Sequence, residues 1–173
     1  MGVYSIMLPD EKLIKTTQGF NRLVILGCEG CANESLAYDK NIPQKAIFDW
    51  HQKQYRPTSE AIIGEANRIK EVLKKTENDI QVVTGMGLCS KSTSDKTDEW
   101  IKVCSGTQAV LALSCIAGIL GVKQSLGKNV KVIPGMKTIG VLYSYREFDP
   151  VKGLIYFDKE KSAFVNFSKE KIE

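Results

Sequence analysis

The chain has 173 residues, of which 43% are hydrophobic and 25% are charged. The length indicates one domain, and the composition excludes a wholly disordered chain. The formal net charge of +4 comes from lysines interleaved with acidic residues, which is typical of a solvated surface and gives no reason to expect a nucleic-acid partner. No apolar stretch reaches the roughly 20 residues of a membrane span, and the N-terminal sequence does not resemble a secretory leader. We therefore expect no membrane association and a cytoplasmic location.

Hydrophobic periodicity predicts alternating helices and strands in chain order. Continuous β-branched and aliphatic runs are typical of strands buried on both faces, and they occur at residues 22–27, 80–85, 109–113 and 130–133. Helical spacing and capping residues predict helices at residues 10–18, from about residue 32, and at 59–76, 98–105 and 116–126. Residues 38–58 have no clear period and are expected to form a long surface loop.

The C-terminal sequence has a period of two instead. Aromatic and aliphatic residues alternate at residues 154–157 and 163–167 around a polar stretch at 159–161, which predicts an antiparallel hairpin. The strand–helix order before it predicts an α/β fold with a mostly parallel four-stranded sheet and helices on both faces. We therefore expect an α/β metal-binding domain over residues 1–145 and a C-terminal antiparallel β-hairpin appendage over residues 146–173.

Four of the five cysteines follow predicted strands. Cys28 and Cys31 come after the first strand, Cys89 lies in the loop after the second, and Cys115 follows the third. Because strand-to-helix loops of a parallel sheet leave from its carboxyl edge, we expect these side chains to converge. A single cysteine is more often a small buried hydrophobe, and a Cys-x-x-Cys pair can be redox-active. Four thiolates are the ligand set of zinc or an iron–sulfur cluster, with sulfurs within about 4 Å of one another. Cys104, inside a predicted helix, is expected to pack in the core.

Glycines and one lysine surround the predicted metal site. Gly27, Gly30 and Gly87 lie beside the cysteines, where glycine lets the backbone wrap around a metal and point amide groups at sulfur. Lys137 follows the last parallel strand on the same predicted edge, where its charge would offset part of the negative charge of four thiolates. We therefore predict that these four residues contribute to cofactor binding.

Four stretches carry a family pattern: Val-Ile-Leu-Gly-Cys-Glu-Gly-Cys-Ala at residues 24–32, Leu88-Cys89, Leu-Ser-Cys-Ile-Ala-Gly at 113–118 and Val-Ile-Pro-Gly-Met-Lys-Thr at 132–138. Their order resembles the C-terminal family of methylenetetrahydrofolate reductases, which includes the zinc- and iron–sulfur-containing accessory subunit of the acetogen enzyme. The resemblance covers about residues 8–142. A more distant likeness is to the small iron–sulfur subunit of hydrogenase–heterodisulfide reductase complexes.

This resemblance implies that Cys28, Cys31, Cys89 and Cys115 are metal-ligand positions. It also implies that the chain assists a partner protein that carries the flavin and the folate site. Family members from acetogens continue into a ferredoxin-like tail rich in cysteine, whereas this sequence has a cysteine-free hairpin in its place.

Three hypotheses for the function follow from these observations. The first is a cytoplasmic accessory domain with a four-cysteine zinc site, which acts in one-carbon (folate or corrinoid methyl) metabolism through a flavin- or corrinoid-dependent partner enzyme. The second is an electron-transfer module with an iron–sulfur cluster on the same four cysteines. The third is an enzyme in its own right, in which three cysteines hold a metal, a substrate takes the fourth position, and residues 38–58 form a lid.

Overall fold

The computed structural model describes residues 2–51, 53–74, 79–90 and 96–167. These residues form two β-sheets and five helices. In chain order the elements are β1 (Gly2–Met7), α1 (Asp10–Thr17), β2 (Arg22–Cys28), α2 (Cys31–Asp39), β3 (Gln44–Asp49), β4 (Gln54–Pro57), α3 (Glu60–Leu73), β5 (Asp79–Gly85), α4 (Lys96–Ser105), β6 (Ala109–Leu113), α5 (Ile116–Leu126), β7 (Lys131–Pro134), β8 (Met136–Asp149) and β9 (Leu154–Asn166).

The four-stranded sheet is parallel throughout, in the order β5-β2-β6-β7. Each of its strands lies within one residue of a predicted run. β6 is buried at every position and β2 at every position after its first, because helices cover both faces of the sheet. α2 and α3 pack on one face with α1 behind them, and α4 and α5 pack on the other. The connections that follow β2 and β6 therefore leave the sheet toward opposite faces.

The five-stranded sheet is antiparallel, in the order β1-β8-β9-β3-β4. The predicted fold class, a single mostly parallel sheet with a hairpin appendage, is therefore wrong. Three strands of this sheet are not predicted from the sequence because they are short and only partly apolar, namely β1, β3 and β4. The expected loop at residues 38–58 contains the β3–β4 hairpin. β8 and β9 pair with β1 and β3 on their outer sides, so they form the centre of a sheet. The expected domain boundary after residue 145 lies inside β8.

The hairpin between β8 and β9 closes at a different turn from the predicted one. Asp149 accepts two backbone hydrogen bonds in the turn, and Gly153 takes a φ of 64°, which glycine adopts at little cost. The predicted turn at residues 159–161 is instead a bulge within β9, because residues 159–162 lie opposite Ser144 of β8. Both halves of β9 therefore pair with β8 and not with each other.

α2 lies between the two sheets and joins them. It contacts β2 of the parallel sheet and both β1 and β9 of the antiparallel sheet. Tyr38 of α2 makes edge-to-face contacts with Tyr4 of β1 and Phe157 of β9, with ring centroids 6.0 Å and 6.2 Å apart. α2, which begins at Cys31, is therefore packed against both sheets.

Within the described ranges, no helix combines the length and the apolar character needed to cross a membrane.

Candidate functional site

Three of the predicted cysteines converge at the carboxyl edge of the parallel sheet. Cys28 ends β2, Cys31 begins α2, and Cys115 immediately precedes α5. β2 and β6 are neighbours whose connections run to opposite faces, and such a switch point is where open α/β sheets bind ligands. Cys28 and Cys115 are only 5% and 4% exposed, and Cys31 is half-buried. We call Cys28, Cys31 and Cys115 the thiol trio.

Neighbouring thiols contribute to the raised pKa values of Cys28 and Cys31. Burial raises the pKa of Cys28, and the neighbouring Cys115 raises it further. Burial is also the main cause of the raised pKa of Cys31, to which Cys115, Cys28 and Glu34 add. Each of these groups would place negative charge beside a Cys31 thiolate, and like charges disfavour ionisation. Cys28 and Cys31 therefore favour the protonated thiol unless a cation is present.

Hydrogen-bond donors point at the same sulfurs. The backbone N–H groups of Gly30 and Leu88, and more weakly the Ser114 hydroxyl, offset part of the rise in the pKa of Cys28. The N–H group of Val3, in β1, acts in the same way on the thiol at the start of α2. Ser114 Oγ is buried and has no other hydrogen-bond partner among the described residues. Donors of this kind stabilise the thiolate form, which is the form that binds metals.

Cys89 differs from the thiol trio in its surroundings. It is exposed, it is not among the groups that shift the pKa of Cys28 or Cys31, and it follows a turn in which Gly87 takes a φ of 61°. Its backbone faces α5, since a Cβ added to Gly121 would lie 3.2 Å from the Cys89 Cα. In the described part of the chain, no three Cys, His, Asp or Glu side chains are close enough to form a metal site. The expected cluster of four sulfurs at mutual ligand distance is therefore absent from this arrangement.

The remaining predicted site residues have different surroundings. Gly27 makes room for α3, because a Cβ there would lie 2.8 Å from the Ile62 side chain. Gly30 is the predicted glycine that lies beside the trio: its Cβ would be 3.8 Å from the Cys28 sulfur. Lys137 is exposed on β8 and does not contribute to the pKa shifts of the trio. It lines a separate groove, described below.

The fifth cysteine has the packing role that the sequence predicts. Cys104 is fully buried on α4 within the hydrophobic core, and burial raises its pKa to about 12. No other thiol contributes to that shift. Cys104 therefore provides a matched control for substitutions in the thiol trio.

Hydroxyl groups that could not be singled out from the sequence attach the antiparallel sheet to this edge. Thr138 Oγ1 of β8 lies 3.1 Å from Ser5 Oγ of β1 and accepts the backbone N–H of Ile116, at the start of α5, over 2.9 Å. Ser35 Oγ of α2 accepts the N–H of Ser5 over 3.1 Å. The available signal was weak, namely small polar residues within otherwise apolar strands. These contacts place β1 and β8 over the switch point.

A cavity of about 410 Å³, lined by both polar and apolar side chains, adjoins the trio on the side of α3. Glu29, the residue after Cys28, lines it, and the Ser59 and Thr84 hydroxyls donate to its two carboxylate oxygens over 3.1 Å and 2.7 Å. Met86 also lines the cavity, and a Cβ on Gly30 would reach both the Met86 and the Cys28 sulfurs within 4.0 Å. The wall between the cavity and the trio is therefore thin.

No protein-family model, curated protein or solved structure matches this chain. The assignment of a function therefore depends on the residues themselves.

Proposed function

We propose that this chain binds a zinc ion through Cys28, Cys31 and Cys115 and acts in the cytoplasm as an accessory module of a flavin- or corrinoid-dependent methyl-group enzyme. The metal-binding part is supported by one observation, the convergence of three thiols from two neighbouring strand ends on one crevice. The one-carbon assignment and the partner are supported by the sequence resemblance alone.

The donor chemistry of the trio fits zinc, although the sulfurs are not at ligand spacing. Zinc in proteins is held by deprotonated cysteines, and its charge removes the repulsion between neighbouring thiolates. The N–H groups of Gly30 and Leu88 are in place to hold the Cys28 sulfur in that form. Binding requires the side chains to move together, and Cys31 has the most freedom to do so because it alone of the three is half-exposed.

Three protein ligands leave one position of a tetrahedral ion open. Zinc sites closed by four cysteines are usually structural, whereas an open position is typical of sites that bind a substrate group. The cavity beside Glu29 provides space for a small substrate next to the trio, and the Glu29 carboxylate, held by two hydroxyls, would orient it. Iron–sulfur clusters generally use four cysteine ligands, and Cys89 is exposed and is not among the groups that shift the pKa of Cys28 or Cys31, so we favour zinc over that alternative.

The metal-binding proposal is tested by elemental analysis of protein purified without oxygen, together with single Cys→Ser variants. We expect about one zinc per chain in the wild type and a loss of at least tenfold in zinc affinity for Cys28→Ser and Cys115→Ser. Cys89→Ser and the matched control Cys104→Ser should keep their zinc. Loss of zinc in Cys89→Ser would contradict the three-cysteine site and support the four-cysteine site. Iron with sulfide in place of zinc would contradict both.

The partner is tested separately. The chain is co-expressed with a flavin-dependent methylenetetrahydrofolate reductase from the same genome, and the mixture is separated by size-exclusion chromatography. We expect the chain to co-elute with the flavin absorbance, and Cys115→Ser to weaken co-elution if the metal supports the interface. Separate elution of the two wild-type proteins would contradict the one-carbon assignment and leave the metal site intact.

A further inference from the structure

A groove of about 500 Å³ lies at the carboxyl edge of the parallel sheet, at the end of β7 and separate from the Glu29 cavity. Its walls come from the β1–α1 connection, the start of α5 and the start of β8. Its volume falls within the range of small-molecule sites, which are mostly apolar with a few polar groups that fix orientation. The groove therefore has the size and the position of a ligand site, and nothing in the proposed zinc chemistry uses it.

The surface of the groove is predominantly apolar. Met136 forms a buried floor, while Ile116 and Phe167 remain 54% and 58% exposed on its walls, and Leu8 is half-buried beside them. Apolar side chains that share one concave surface are characteristic of a binding site rather than of scattered surface residues. No described segment of the chain covers them. The apolar part of a ligand would replace water over this surface.

The charged residues that line the groove within the described part of the chain are both positive. They are Lys12 of α1 and Lys137 of β8, which are exposed, and no described acidic residue lines the groove. Neither lysine has an ion pair among the described residues. In contrast, five other lysines have carboxylate partners: Lys40, Lys45, Lys74, Lys152 and Lys161. Two unpaired ammonium groups at an apolar groove complement a ligand with one anionic end.

The remaining polar group of the groove is already satisfied. Thr138 Oγ1 accepts the N–H of Ile116 and contacts the hydroxyl of Ser5. Because this bond uses the first N–H group of α5, that group is not free to bind an anion. The two lysines are therefore the groups of the groove that can pair with an anionic ligand. The groove consequently favours ligands that combine an apolar body with a negative charge.

We infer that this groove binds an amphipathic organic anion, a free unbranched carboxylate of medium chain length. The hydrocarbon chain packs on Leu8, Ile116 and Phe167, and the carboxylate pairs with Lys12 and Lys137. Because burial of each methylene group contributes roughly 0.8 kcal/mol, removing one methylene should weaken binding about threefold to fourfold. This inference is independent of the zinc site.

The test is a titration of the full chain with decanoate, below the concentration at which decanoate self-associates, followed by NMR of isoleucine, leucine and methionine methyl groups. Octanoate should bind about tenfold more weakly than decanoate, as expected for two fewer methylenes. 1-Decanol, which has the same apolar body without the charge, should bind at least tenfold more weakly, and acetate should not bind. The methyl signals of Ile116 and Met136 should shift, while those of the distant β5 should not.

Single variants test the charges. Lys12→Gln and Lys137→Gln should each weaken decanoate binding about threefold, and the double variant about tenfold, as expected for exposed ion pairs. Lys128→Gln, at the opposite edge of the sheet, is the matched control and should bind decanoate like the wild type. Equal binding of 1-decanol and decanoate, or unchanged binding in the double variant, would overturn the inference. All four variants should contain as much zinc as the wild type. The zinc measurement therefore distinguishes a failure of this inference from a failure of the proposed function.

Discussion

Replacement of Gly121 by alanine should destabilise the protein, although alanine is the better helix former. Gly121 lies in α5 against the loop that carries Cys89, and an added Cβ would lie 2.1 Å from the carbonyl oxygen of Leu88. Because that oxygen belongs to the backbone, either the loop or the helix has to move. Overpacking costs about 1–3 kcal/mol, and a contact this short places the cost at the upper end. After subtraction of about 1 kcal/mol for helix propensity, we expect a net loss of about 2 kcal/mol.

The matched control is the same substitution at Gly64. This glycine lies in α3, where an added Cβ would have no atom within 4 Å. Helix propensity then acts alone, and Gly64→Ala should stabilise the protein by about 0.5–1 kcal/mol. For a chain of this size, each kcal/mol shifts the Tm by about 2–4 °C, so Gly121→Ala should melt about 4–8 °C lower than the wild type and Gly64→Ala slightly higher. Thermal and urea unfolding, followed by circular dichroism, measure both. A Gly121→Ala protein as stable as the wild type would show that the α5–loop contact is not as close as described.

Two further predictions concern the ionisable groups. Burial opposes ionisation of Glu65, but hydrogen bonds from Arg68 and Lys40 more than compensate and lower its pKa. A carboxyl group with a lowered pKa stabilises the folded state fully above the unfolded-state pKa of about 4.3. This stabilisation is lost as the pH falls through the folded-state pKa. Urea unfolding should therefore show stability falling as the pH drops below about 4.3. The fall should be shallower in Arg68→Gln, which removes the hydrogen bonds to both Glu65 and Asp10, and an unchanged slope in the variant would contradict the assigned cause. The second prediction concerns alkylation with iodoacetamide, followed by mass spectrometry. The exposed Cys89 should react first and the fully buried Cys104 last. Early modification of Cys104 in the folded protein would contradict its position in the core.

The parallel sheet could be predicted because its signals are local. β2 and β6 are continuous apolar runs, and the helices between the strands have regular apolar spacing and recognisable ends. Of the antiparallel sheet, only the two alternating runs of β9 carry a local signal. β1 pairs with β8 across 129 to 140 residues, and the partner of a half-polar strand cannot be predicted from its own sequence. Asp149 and Gly153 are residue types that favour turns. The polar stretch at residues 159–161, between two runs of alternating apolar residues, nevertheless predicts the turn at a different place.

The same reasoning explains why three of the four cysteines converge and Cys89 does not. Topology delivers every strand-to-helix loop to one edge, but that edge is several strands wide. Adjacent strands are about 4.8 Å apart, and β5 and β6 flank β2 on opposite sides, so their ends are separated by about 10 Å. Cys28 and Cys115 follow adjacent strands and can meet, whereas Cys89 lies four residues beyond the end of β5, and its side chain is exposed. The order of strands and helices along the chain predicts that these loops lie at the carboxyl edge of the sheet. Only the order of the strands within the sheet shows which of their side chains are neighbours.

The pairing of β1 with β8 also determines when the crevice over Cys31 closes during synthesis. The first strand leaves the ribosome early, but its partner residues extend to Leu142, so the lid over the thiols is completed only after most of the chain has been made. All three sulfurs emerge before that strand does, while their surroundings are still open to solvent. The proposed zinc ion would therefore enter from the side that the folded protein covers, and its later exchange would proceed through a narrower route.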